Sequence, residues 1–169
     1  MTARSAHIFG FDARAILIGG LCGGLAEIAW IAFYVSLMQT SASEVPRQIT
    51  ATVLPSFAGA TIAPALGVAI HLALSIALAI VFASVAWQFP RLRVDRVSLV
   101  ASALAALAAV WAVNFLVLLP QLNPAFVALL PPAVTLLSKL LFALAMGGVL
   151  AGAIPRPVRG AQSGRPAGS

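Results

Sequence analysis

The sequence predicts an all-α fold, a bundle of four transmembrane helices with both termini in the cytoplasm. Of its 169 residues, 62% are hydrophobic and 8% are charged, and the mean hydropathy is +1.05. An average soluble domain is about a quarter charged and at most half apolar. The apolar residues also fall into stretches that each reach the roughly 20 residues needed to cross a bilayer. These observations exclude an ordinary soluble domain, a disordered chain and a disulfide scaffold.

Three of the four predicted spans contain one ionisable residue each: Glu27 in the first, His71 in the second and Lys139 in the fourth. The first span is longer than the roughly 7–15 residues of a signal-peptide core, so we predict an uncleaved helix. Together the spans form one transmembrane domain, residues 1–154. The tail that follows, 155–169, is rich in Pro, Gly, Arg and Ser, which predicts a disordered cytoplasmic segment. The spans cover residues 16–38, 62–89, 97–119 and 133–154.

The arginines predict the orientation of the bundle. Arg47 is the only Lys or Arg in the first and third connections, whereas eight arginines lie in the N-terminal flank, the second connection and the tail. Because short cytoplasmic segments carry the excess of Lys and Arg, both termini are predicted to be cytoplasmic. The short loops are typical of a bacterial inner-membrane protein, with the lipid bilayer as its first partner. The eight are Arg4, Arg14, Arg91, Arg93, Arg96, Arg156, Arg159 and Arg165.

The formal net charge of +6 does not indicate a nucleic-acid partner. The basic residues are spread through short segments between apolar stretches, whereas a nucleic-acid-binding face needs them clustered on one folded surface. Cys22 is the single cysteine, so an intrachain disulfide is excluded. One lone cysteine without a Cys/His cluster also gives no zinc motif.

The sequence predicts local structure in both outer connections. Val45, Ile49 and Val53 recur every four residues within 39–60, which predicts a short helix. This helix is either an ordinary connection or one that lies on the membrane surface. The second connection, 120–132, is apolar and rich in proline. It predicts a short re-entrant or interfacial turn, which needs protein or water to satisfy its backbone.

A weak internal repeat relates the two halves of the chain. Pro55-Ser56-Phe57 and Pro124-Ala125-Phe126 are each followed by a proline and, seven residues beyond it, by a basic residue, His71 or Lys139. This spacing predicts two helical hairpins in the same orientation, a 2+2 pseudo-repeat. Chance similarity among many prolines and phenylalanines explains the same matches.

Four polar residues are predicted to form one intramembrane cluster: Glu27, His71, Asn114 and Lys139. A rise of about 1.5 Å per residue places all four between the bilayer midplane and the outer surface. Ionisable groups at such depth cost about 2.5–3.5 kcal/mol each on insertion scales, and they usually face the bundle interior.

Small residues on the same helix faces strengthen the prediction of a cluster. Small residues line close helix–helix contacts in membranes, so an ionisable residue on the same stripe points inward. Trp30, Tyr34 and Ser75 are the predicted supporting residues, on the faces of Glu27 and His71. The stripes are Gly19-Gly23-Glu27, Gly67-His71-Ser75 and Lys139-Ala143-Gly147.

Two interpretations of the cluster remain open. In a structural lock, Glu27 and Lys139 pair while His71 and Asn114 complete the hydrogen bonds, although Lys139 is shallow enough to extend to the outer interface instead. In a transport site, the carboxylate and the imidazole form a proton or solute relay. Lys is not a usual metal ligand, so we predict no metal and no cofactor.

The sequence therefore predicts a non-enzymatic integral membrane protein, an accessory or assembly subunit with a buried polar cluster. The alternative is a small proton or solute transporter. Four helices are few to enclose a complete solute pathway, so a transporter of this size is predicted to form a homo-oligomer. A larger membrane complex is the other predicted assembly. A third interpretation, a haem- or quinone-associated redox subunit, needs a second axial histidine from another protomer because His7 lies on the N-terminal arm.

Cysteine labelling tests the predicted orientation. In a Cys22→Ser background, Gln162→Cys is expected to resist a membrane-impermeant maleimide in intact cells, because the arginine bias places the tail inside. Ala51→Cys in the first outer connection, the matched control, is expected to react. Labelling of residue 162 from outside intact cells would overturn the orientation.

Overall fold

The computed structural model describes residues 7–8, 11–39 and 41–154 of the chain. Within these residues the fold is helical, apart from a two-residue antiparallel strand pair near the N-terminus. The predicted disordered tail, 155–169, lies outside the described residues. The elements in chain order are β1 His7–Ile8, β2 Phe11–Asp12, α1 Ala13–Leu37, α2 Glu44–Val53, α3 Ala63–Trp87, α4 Arg96–Val113, α5 Leu119–Leu122, α6 Pro124–Leu129 and α7 Pro132–Gly152.

All four predicted spans are present as helices that are long and apolar enough to cross a membrane. Three of them are α1, α3 and α7. The remaining one, Arg96–Leu122, continues from α4 through a π-helical turn, Asn114–Leu118, into α5. The all-helical architecture and the number of spans are therefore confirmed.

Aspartates at N-caps determine where two of the long helices begin. The Asp12 carboxylate accepts a hydrogen bond from the Arg14 N–H at 2.9 Å, and the Asp95 carboxylate accepts from the Val97 and Ser98 N–H groups. Such caps satisfy donors that have no partner within the helix. The Ser98 hydroxyl and N–H hold the pKa of Asp95 below its ordinary value.

The long helices lie side by side in the order α3, α1, α7, α4. Helix α1 packs against both α3 and α7, and α7 packs against both α1 and α4. Helices α3 and α4 meet through only a few residues, although a short connection joins them. The bundle is therefore closed on three sides and open between α3 and α4.

Two adjacent pairs of glycines allow α1 to occupy its central place. Gly20 and Gly24 face α3: a Cβ on Gly20 would lie 2.8 Å from the Ile76 Cα. Gly19 and Gly23 face α7, and a Cβ on Gly23 would lie 3.0 Å from the Phe142 ring. The backbone of α1 thus approaches both neighbours closely, as small residues permit in membrane helices.

The hydrophobic core fills one half of the bundle. We call this half the terminal end, because α1 begins there, α7 ends there and the α3–α4 connection lies there. The core ends where the helices separate toward the opposite half, the roof end, where α2 and α6 lie. Its largest members include Ile16, Phe82, Leu99, Leu107, Phe142, Met146 and Leu150.

The predicted helix in the first outer connection is present as α2. It packs on the start of α3 so closely that a Cβ on Gly67 would overlap the Pro46 carbonyl oxygen. The Thr50 hydroxyl, which is fully buried, donates to the Ala63 carbonyl at 2.6 Å. Its apolar residues face the bundle, so α2 is a packed connecting helix.

The second outer connection is more helical than the predicted turn. After α5, the chain breaks at Asn123 and continues directly as α6. The Asn123 side chain accepts from the Phe126 N–H at 3.1 Å and caps this six-residue helix. Pro124 and Pro132 are the first residues of α6 and α7, where the missing N–H costs no helical hydrogen bond. Pro120 instead follows the π-helical turn within the continuous span.

Glycine substitutions test the α2–α3 contact. Gly67→Ala is expected to lower the free energy of unfolding by about 1–3 kcal/mol, because its Cβ has no room beside the Pro46 carbonyl. Gly148→Ala is the matched control, since nothing lies within 4 Å of its added Cβ. That variant gains about 1 kcal/mol at most from helix propensity. Equal denaturation midpoints for the two variants in detergent would contradict the close packing of α2.

Candidate functional site

A buried carboxylate is the centre of the candidate site. Glu27 lies midway along α1, and only 9% of its surface is exposed. The Lys139 ammonium, on α7, lies 2.7 Å from its Oε2 atom. The Ser138 hydroxyl, also on α7, shares its hydrogen between Oε1 at 3.2 Å and the Thr135 carbonyl oxygen at 2.8 Å. Both carboxylate oxygens therefore bind groups on the neighbouring helix.

Histidine 71 joins this pair from α3. Its Nε2 atom lies 3.8 Å from Glu27 Oε2 and 3.3 Å from the carbonyl oxygen of Gly24. The Ser75 hydroxyl, one turn along α3, donates to the His71 carbonyl at 2.8 Å. Predicted residues from three helices thus meet at Glu27, and Ser75 supports them from the α3 backbone.

Charge balance explains why the group is stable in a low-dielectric interior. An isolated buried charge costs several kcal/mol, whereas a close and hydrogen-bonded pair recovers much of that cost. Lys139 Nζ also lies 5.5 Å from the centroid of the Phe142 ring, which adds a cation–π contact. Its side chain is 13% exposed, so it points to Glu27 and not to the outer interface.

Asn114 does not join the three-residue group. It begins the π-helical turn on α4, and α4 packs against α7 instead of α1. Within the described residues its side chain makes no hydrogen bond to Glu27, His71 or Lys139. Asn114 nevertheless lines the same cavity as Glu27, His71 and Lys139, so the four predicted residues share a cavity wall and not one hydrogen-bonded group.

The two predicted aromatic supports have different surroundings. The Trp30 indole N–H donates to the Val134 carbonyl oxygen at 3.0 Å and so ties α1 to the start of α7. Tyr34 lies along a separate cavity of about 80 Å³ together with Val35 and Leu130. Trp30 thus holds the two helices that carry the ion pair, and Tyr34 lies nearer the roof end.

The three-residue group lies on the wall of a cavity of about 610 Å³. The helices that separate toward the roof end form its walls, and Asn114 lines it from the α4 side. Val45, Ile49 and Val53 of α2 cover it together with Phe126 of α6. The cavity is lined mainly by apolar side chains. Its polar members are Glu27, His71, Lys139, Asn114, Ser75, Ser138, Thr135 and, on the α2 cover, Thr52.

A polar clasp holds the two covers of the cavity together. The Asn123 amide nitrogen lies 3.0 Å from Gln48 Oε1 and 3.0 Å from Thr52 Oγ1, both on α2. Aromatic rings continue the contact into the π-helical turn, where the ring centroid of Phe115 lies 6.3 Å from that of Phe126. Asn123 thereby joins the two outer connections, which are far apart in sequence.

Sequence reasoning missed Ser138, Thr135 and Asn123. Thr135, Ser138 and Lys139 lie three and four residues apart, so they share one helix face, and this polar stripe was the available signal. The Trp111 indole N–H donates to the Thr135 hydroxyl at 2.9 Å, which connects the stripe to α4. Asn123 lies at a helix break, where no periodicity indicates its partners.

The side chains of the site suit hydrogen bonding and charge pairing more than metal binding. Within residues 7–8, 11–39 and 41–154, no three His, Cys, Asp or Glu side chains come together as a metal site. Comparison with family models, with curated proteins and with solved structures found no match to this chain.

Replacing Asn123 tests the clasp. Asn123→Ala removes the donors to Gln48 and Thr52 and the cap of α6, so the free energy of unfolding is expected to fall by about 1–3 kcal/mol. Gln121→Ala is the control, because Gln121 is exposed two residues away. The clasp would be refuted if both variants denatured at the midpoint of the parent protein.

Proposed function

We propose that the protein is a non-enzymatic integral membrane protein in which the Glu27–Lys139 pair locks α1 to α7. The observation that carries this proposal is the buried 2.7 Å contact between the two charged groups. Neither charge is stable in hydrocarbon without the other, so the two helices are held in one register. Such a protein serves as an accessory or assembly subunit of a membrane complex.

The free faces of the bundle support an assembly role. Gly148 and Gly152 are four residues apart on α7, and nothing lies within 4 Å of a Cβ added to either. Small residues at this spacing allow another helix to approach closely. A second copy of the chain or a partner protein therefore has a place to pack, and a homo-oligomer or a larger complex is the proposed assembly.

The proposed location is a bacterial inner membrane with both termini in the cytoplasm. The arginine asymmetry supports this orientation. It places the terminal end of the bundle on the cytoplasmic side and the roof end outside. The 2+2 pseudo-repeat remains a proposal that rests on the matched Pro-x-Phe segments.

A proton or solute transporter is the second candidate. The observation that favours it is that Glu27, His71 and Lys139 all line the 610 Å³ cavity, so a solute in this cavity would meet the charged groups. Histidine exchanges protons near neutral pH, as a relay requires. Stability and flux measurements on the same variants separate this candidate from the lock.

A double-mutant cycle tests the lock. Glu27→Gln and Lys139→Met are each expected to cost about 3–5 kcal/mol of unfolding free energy, because each leaves its partner charged and unpaired. The double variant is expected to recover most of that loss. Arg47→Met, combined with Glu27→Gln, is the control, since Arg47 contacts Glu44 and the chain after α2. The control pair is expected to be additive.

A transport site predicts the opposite pattern of stability and activity in these variants. The single variants would remain as stable as the parent, proton flux into proteoliposomes would be lost, and the double variant would not restore it. His71→Gln adds a discriminator, because the amide retains hydrogen bonding but does not titrate. Additive stability effects of Glu27→Gln and Lys139→Met would refute the lock.

A further inference from the structure

We propose that the cavity at the roof end binds an uncharged, lipid-soluble molecule with a carbonyl-bearing head and a long apolar chain. The head lies between Lys139 and Asn114, and the chain leaves between α3 and α4. This site shares Lys139 with the lock, but the lock itself needs no ligand. The argument rests on the opening of the cavity, its cover, its donors and its charge.

The cavity opens sideways, toward the apolar surface of the bundle. Leu74 and Val81 of α3 are each 56% exposed, and Leu118 of the π-helical turn is 45% exposed, yet all three line the cavity. They lie where α3 and α4 separate. Because the rim is apolar and belongs to two helices suited to cross a membrane, the opening faces lipid chains.

Helices α2 and α6 cover the roof end of the cavity. Thr52 is the polar residue among the α2 residues that line the cavity, and it belongs to the Asn123 clasp, which holds α2 to the α6 side. The Arg47 guanidinium donates to the carbonyl oxygens of Ala58 and Ala60 and ties α2 to the chain that follows it. A molecule that reaches the cavity through the α3–α4 gap therefore has to dissolve in the bilayer first.

Two donors on the cavity wall have unused capacity. The Lys139 ammonium has three N–H groups, and within the described residues Glu27 is its only hydrogen-bond acceptor. The Asn114 amide makes no side-chain hydrogen bond there, although it lines an apolar cavity. A carbonyl oxygen supplies an acceptor without adding charge.

Charge balance selects an uncharged head. Glu27 and Lys139 neutralise each other at 2.7 Å. A carboxylate or phosphate in the cavity would compete with Glu27 for Lys139 and leave one negative charge in excess. Such a charge is expensive in a low-dielectric site. The π-helical turn that begins at Asn114 agrees with a binding role, since π-bulges are frequent at functional sites.

The size of the cavity agrees with a head group and the first part of a chain. Its volume of about 610 Å³ falls within the range of about 300–1,000 Å³ typical of small-molecule sites. Two classes of membrane molecule share the required chemistry. An isoprenoid quinone has ring carbonyls, and a diacylglycerol has ester carbonyls. Both are uncharged, and both have chains that would extend into lipid through the gap.

Titration calorimetry of the full-length protein in detergent micelles tests the site. The probes are decylubiquinone, 1,2-dioctanoylglycerol and decanoate, each added from the same micelles. Binding of decylubiquinone alone, of the diacylglycerol alone or of both is the expected result, and it identifies the source of the head. Decanoate is expected to bind at least about tenfold more weakly, because its carboxylate adds a charge.

Variants then locate the bound molecule. Asn114→Leu is expected to weaken binding about tenfold through the loss of one hydrogen bond. Val81→Trp is expected to abolish binding by filling the gap between α3 and α4. Val85→Trp is the matched control, because Val85 is exposed one turn further along α3 and lies outside the cavity lining. It is expected to bind like the parent.

Three results would overturn the proposal. The first is that neither uncharged probe binds the parent protein. The second is that decanoate binds as tightly as they do. The third is that Val81→Trp binds like Val85→Trp while both elute and melt as folded protein. Leu74→Trp enlarges the other exposed α3 residue of the rim, so it decides the matter if Val81→Trp does not fold.

Discussion

The contact between Glu27 and Lys139 is the constraint on which the arrangement of helices depends. Each residue alone would make its helix costly to bury, and only direct pairing removes that cost. The 2.7 Å distance requires α1 and α7 to lie close together at that level. Gly19 and Gly23 make the approach possible, because a larger side chain at Gly23 would meet the Phe142 ring. Polar pairing and glycine placement therefore act on the same helix pair.

The cavity is a consequence of this central position of α1. Helix α1 uses one glycine pair for α3 and the other for α7, so α3 and α4 lie at opposite ends of the row. The α3–α4 connection brings their ends together only at the terminal end, where the core fills the space. Toward the roof end they diverge. The short outer helices then cover the space between them, with Asn123 joining the covers.

Features that depend on the composition of a single helix could be predicted from the sequence. Features that depend on how several helices pack could not. Hydropathy is a local property, so all four spans could be placed. Small-residue stripes identified the inward faces, and Glu27, His71 and Lys139 do meet. The order of the helices depends on which faces pack best in three dimensions, and no spacing encodes it. Asn114 was therefore grouped with residues whose cavity it lines but to which, within the described residues, it makes no hydrogen bond.

A polar lock on a cavity wall differs from one in a packed core. In a core, every hydrogen-bonding group must find a partner within the protein. Beside a cavity, the charge of Lys139 is balanced by Glu27, and the other N–H groups of the ammonium remain available to a ligand. The lock therefore fixes the position of a donor as well as the register of two helices. A ligand that left the ion pair intact would bind without loosening the bundle, whereas one that replaced Glu27 would separate α1 from α7.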